Sequence, residues 1–201
     1  MDSRQLAAEA LSEKIFRTER RLSSRFGEGF IAIDDVVKCF GEMFIPEDGL
    51  HFAFFNAPES LDAEPEDSFL VLPSPTFLCH HLFESRGDIF DLQNLDSDDD
   101  RFLRITGGRP GWVMLRKSNL TRQNRHDGLR KPAGEEFAST STVIWAALLY
   151  RLVRGRDLFD EKVYAVHPSA LVSTENGKIS LRSVFKISDD TPAVSEVLVN
   201  P

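Results

Sequence analysis

The segment from about Ser139 to Arg154 is apolar around most of a helix's circumference, so the rest of the chain has to fold around it. Val143, Trp145, Ala146, Leu148, Leu149 and Leu152 leave no wide polar face for water. Ser and Thr residues crowd its start and Gly155 follows its end, the ordinary start and stop signals of a helix. The run is shorter than the roughly 18 apolar residues that cross a bilayer, and no other run approaches that length. A buried central helix in a water-exposed protein is the expectation, with no membrane as partner.

The neighbouring segments supply the cover. Leu6, Ala10, Leu11, Ile15, Leu22 and Phe26 recur at helical spacing, which predicts an amphipathic first helix over Ser3 to Phe26, ended by Gly27 and Gly29. Glu13 and Arg17 stand four apart on it, a favourable pair. Ile33, Val36, Val37, Phe40 and Phe44 predict a second helix, with Asp34 as N-cap and Ile33 as staple. Leu50 to Phe55 reads as a strand buried on both faces and Phe69 to Leu72 as a short strand. Ser74-Pro75 reads as the cap and first residue of a third helix running through Phe83. Phe102 to Ile105 and Trp112 to Leu115 read as strands. Beyond the central helix the pattern turns to β: Val163 to Val166, then a hairpin about Asn176-Gly177 with arms Leu171 to Thr174 and Ile179 to Ile187, then an edge strand over Val194 to Val199. Early helices and late antiparallel strands predict an α+β fold: one domain over residues 1–201, with a mainly antiparallel sheet against the central helix. Sixteen Phe against two Tyr point to a core built largely on Phe.

Charge is distributed unevenly. The chain has 24 Lys and Arg against 32 Asp and Glu, yet Arg101 to Lys131 holds nine basic residues and one acid, Asp127. That stretch is +8 and the remainder, with 15 basic and 31 acidic residues, is −16. Arg101 to Leu115 belongs mostly to the predicted strand pair, so the signal narrows to a long polar basic loop at 118–136 and the residues leading into it. Arg116, Lys117, Arg122, Arg125, His126, Arg130 and Lys131 are the candidate binding residues. Arginine forks grip carboxylates and phosphates at two points, and the loop feeds the start of the central helix, where free N–H groups favour anions. Glu135 and Glu136 lie beside that start as possible internal anions. The loop has no aromatic residue on which bases could stack.

Other signatures fail on their spacing. G-x-S-x-G, H-E-x-x-H, the phosphate-loop pattern and G-x-G-x-x-G are all missing from the sequence. Asp96, Asp98 and Asp100 fit the first ligand positions of a calcium loop, but Arg101 stands where Gly is needed and Gly107 where Glu is needed. Cys79-His80-His81 are consecutive on a predicted helix, so their side chains diverge by about 100° each and cannot converge on one ion. Cys39 and Cys79 read as two reduced, buried thiols. No cofactor and no metal is expected.

Three functions fit these residues. The first is a cytoplasmic regulator, adaptor or inhibitor that docks an acidic protein on the basic loop. The second is an enzyme or binder for a phosphorylated or carboxylated small molecule, with His126 or His167 as base and Arg116, Arg122 and Arg125 as anion clamp. The third, nucleic-acid binding, is disfavoured by the acidic balance.

Overall fold

A computed structural model describes residues 3–41, 69–74, 79–91, 111–117, 120–121, 136–159, 163–165, 170–183, 195–196 and 198–200. The expected strands at 50–55 and 102–105 lie outside these residues. The fold is α+β, with four α-helices and two β-sheets among the described residues.

Helix α1 spans Ser3–Phe26 and passes into a 3-10 turn at Gly27–Gly29. Helix α2 is Ile33–Phe40. Its N-cap is Ala32, two residues before Asp34, and not Asp34 itself. The Asp35 carboxylate reaches back to accept the Ala32 N–H (3.2 Å), and Glu19 of α1 accepts the Ile33 N–H (2.8 Å). Helix α3 is Cys79–Ser85. Ser74, expected to cap it, is instead the last residue of strand β1 (Phe69–Ser74) and pairs with Gly111.

The first sheet has the order β1-β3-β10-β5, with β3 at Gly111–Arg116, β10 at Leu198–Asn200 and β5 at Glu136–Phe137. All its pairings are antiparallel. Alternation along β1 sends its side chains to two cores. Leu70 and Leu72 face the core of the central helix; Phe69 and Val71 join Leu22, Phe26, Phe30, Trp112 and Met114 beneath α1.

Helix α4, Thr140–Arg154, is the buried centre, and every residue from Thr140 to Tyr150 is buried. Ser139 caps it, and Gly155, in the left-handed conformation at φ 68°, ends it. It packs on β1 of the first sheet and on β7 (Ala170–Glu175) and β8 (Lys178–Ser183) of the second. Trp145 meets Phe40 of α2, ring centres 5.2 Å apart, so α2 closes one flank of α4.

The second sheet runs β2-β8-β7-β6-β9-β4, with β2 at Phe90–Asp91, β6 at Val163–Ala165, β9 at Ser195–Glu196 and β4 at Leu120–Thr121. The β7–β8 hairpin turns at Asn176 (φ 51°) and Gly177 (φ 81°), as the Asn-Gly pair requires. β2 on β8 and β9 on β6 are parallel; the other pairings are antiparallel.

Three expectations need correcting. The central helix lies against two sheets where one was expected. The predicted edge strand at 194–199 is two interior strands, β9 between β6 and β4, and β10 between β3 and β5. The stretch 118–136 is not irregular throughout, because Leu120–Thr121 pairs with β9 and Glu136–Phe137 with β10.

Candidate partner-binding segment

The basic segment leaves the first sheet at the end of β3. Arg116 stands directly opposite Phe69 in the β1–β3 register, and its guanidinium lies over the Phe69 ring, 5.0 Å from the centroid. The residue is only 9% exposed. Cross-strand pairing puts the two side chains on one face of the sheet, and the ring stabilises the cation through its quadrupole. Arg116 therefore serves packing at the strand end more than it serves the surface. Lys117 follows, half-buried, with its side chain running beside Gly29 at the end of α1.

Both ends of the segment are anchored. Leu120–Thr121 joins β9 in the second sheet, and Glu136–Phe137 joins β10 in the first. Leu115 of β3 and Glu136 of β5 both face Val199 of β10, so one strand separates the point where the segment leaves the sheet from the point where it returns. Adjacent strands lie about 4.8 Å apart, which sets Leu115 and Glu136 about 10 Å from each other. Arg122, Arg125, His126, Arg130 and Lys131 fall between the anchors and lie outside the described residues, as does His167.

The segment returns to the start of α4, which Ser139 caps. The Ser139 hydroxyl accepts the Thr142 N–H (3.3 Å) and lies 2.9 Å from the hydroxyls of both Ser141 and Thr142. Thr140, Ser141 and Thr142 are buried. Ser139 is the cap, and its hydroxyl links those of Ser141 and Thr142 in the first turn. Glu136 lies in β5, opposite Val199.

Other chemistry is sparse. Among the described residues no three His, Cys, Asp or Glu side chains gather as metal ligands. Cys39 is a free, half-buried thiol; burial pushes its pKa up, and Arg86 opposes this. The far end of α4 carries more arginines. Arg151 pairs with Asp157, Arg154 donates to the Phe30 carbonyl (2.6 Å), and Arg156 reaches Glu28 (3.3 Å). The last two contacts tie the helix end to the turn after α1. Exposed charge on α1 includes Glu9, Glu13, Lys14, Arg17, Arg20 and Arg21. Sequence reading noted only the Glu13–Arg17 pair; the signal for the rest is the four-residue recurrence of charge along the helix.

Compared with protein-family models, curated proteins and solved structures, the chain matches none. No helix among the described residues is long and apolar enough to cross a membrane.

Proposed function

We propose that this chain is a binding protein, of regulator, adaptor or inhibitor type, that docks an acidic protein on the basic segment between Lys117 and Lys131. The reading takes the chain as one cytoplasmic domain. The observation that carries it is the pairing of charge with anchorage. A segment with five basic residues and one acid between Lys117 and Lys131, in a chain of net charge −8, leaves the first sheet and re-enters it one strand away, held on the way by β4. Recognition loops work best when a rigid scaffold fixes their ends, and a local field of one sign steers a partner of the other. Arg122, Arg125, Arg130 and Lys131 provide the contacts, with His126 among them. Arg116 supports the strand end from beneath.

The test is a thermal-shift and binding titration of the whole chain against poly-glutamate, inorganic phosphate, a dicarboxylate, and single- and double-stranded DNA and RNA at low salt. Binding to poly-glutamate that weakens with salt and disappears in Arg122→Glu/Arg125→Glu supports the reading. Equal binding by the variant overturns it. Preference for phosphate or a dicarboxylate would move the assignment to the small-molecule reading, and preference for DNA or RNA to the nucleic-acid reading.

A further inference from the structure

Helix α1 turns one face to the first sheet through Thr18, Leu22 and Phe26, all buried. The opposite face carries an i, i+4, i+8, i+12 ridge of Glu9, Glu13, Arg17 and Arg21. All four are exposed, Glu13 and Arg17 with 62% and 75% of their side chains accessible. Glu13 and Arg17 pair within the helix; Glu9, Arg20 and Arg21 have no ion pair among the described residues. Beside the ridge stands Phe16, 62% accessible, the exposed large apolar residue among the described ones.

The order of charge along this ridge is acid, acid, base, base. That order is self-complementary only when reversed. A second α1 laid antiparallel, with its two-fold axis at position 15, sets Glu9 against Arg21 of the copy and Glu13 against Arg17. The same operation repeats both contacts, as an isologous interface must. It also brings the two Phe16 rings together within one residue of the axis, where each covers the other. A parallel pairing in register sets acid on acid and base on base.

We infer that α1 is a self-association surface, through which two copies of this chain pair antiparallel about Phe16. Its central contact is one aromatic pair and its flanks are solvent-exposed ion pairs, each of small worth and screened by salt. The dimer is therefore weak, dissociating and salt-sensitive.

Sedimentation of the full chain from about 10 µM to about 1 mM tests this. At low salt the mass rises toward a dimer with concentration, and raising salt to about 0.5 M shifts the transition at least about tenfold upward. Phe16→Ala shifts it upward as well. Glu9→Arg/Glu13→Arg and Arg17→Glu/Arg21→Glu each stay monomeric, but an equimolar mixture of the two forms a one-to-one heterodimer. The substituted residues are all exposed, and circular dichroism verifies that each variant is folded. A wild-type chain that stays monomeric throughout overturns the inference, as does a mixture in which association is not restored.

Discussion

The indole N–H of Trp145 donates to the Pro73 carbonyl oxygen across 2.8 Å, joining the middle of α4 to the end of β1. The ring is buried in the main core and touches Phe40 of α2 as well. One side chain thus sets the position of the central helix relative to a strand and to a second helix. Trp145→Phe keeps most of the apolar volume and removes the donor, and the loss should be about 1–3 kcal/mol. Urea unfolding followed by far-UV circular dichroism measures it. An unchanged midpoint would mean that the bond contributes nothing.

Gly29 has a neighbour that tolerates no side chain. A Cβ there would stand 2.4 Å from the Phe69 carbonyl oxygen and 3.3 Å from the Lys117 Nζ. The lysine can swing aside; the strand backbone cannot without breaking its register. Gly29→Ala should cost about 1–3 kcal/mol, the usual range for overpacking. Thermal unfolding of the variant beside Gly41→Ala, where a Cβ meets nothing within 4 Å, separates crowding from any general effect of replacing glycine. Crowding alone requires Gly29→Ala to be the worse by more than the backbone strain at Gly41, whose φ is 69°.

Ser139 holds three groups at once: the Thr142 N–H and the hydroxyls of Ser141 and Thr142. Ser139→Ala leaves these buried groups short of a partner, and about 1–2 kcal/mol of stability should go with it. Ser139→Asp, which keeps the acceptor for the backbone, should recover part of that loss in the same unfolding assay. If alanine and aspartate were equally stable, the cap would have no energetic role.

Glu19 carries a pH dependence. Burial pushes its pKa above the ordinary glutamate range, the Ile33 N–H opposes this, and Asp34 and Asp35 add to the rise. Between the ordinary value and the raised one, the folded chain holds a proton that the unfolded chain has released. Stability therefore falls as pH rises through that window. Glu19→Gln removes the titration while keeping an acceptor for the Ile33 N–H. Its stability relative to wild type should climb as pH goes from about 3 to about 7 and then level off. A difference that stays flat across this range would exclude Glu19 as the source.

What could be read in the sequence was local chemistry. Helix α1 begins and ends where its apolar spacing and its glycines place it. Ser139 and Gly155 bound α4, and Asn176-Gly177 makes its hairpin, because each signal acts within a few residues of itself. The expectations that went wrong depend on distant partners. Asp34 has the right chemistry for a cap, but Glu19, fourteen positions before Ile33, accepts the Ile33 N–H and the helix already begins at Ile33, with Ala32 as its cap. Ser74 is drawn into β1 by Gly111. Val199 shows nothing in its own neighbourhood that would place it between Leu115 and Glu136. Arg116 was legible as a charge but not as a buried one, since its cover, Phe69, comes from another strand.

That place of β10 has a kinetic meaning. Among the described residues β5 pairs only with β10, so Glu136–Phe137 joins the first sheet once Leu198–Asn200 has come into register with β3. Contacts so far apart in sequence close slowly, because the loop entropy is lost before any pairing offsets it. During synthesis, β3 would offer an unfilled edge from the time residue 116 emerges until residue 199 does. The hairpin of β7 and β8 is local and can form well before then. The local hairpin of β7 and β8 is thus expected early, and the docking of β5 through β10, which completes the first sheet, is expected last.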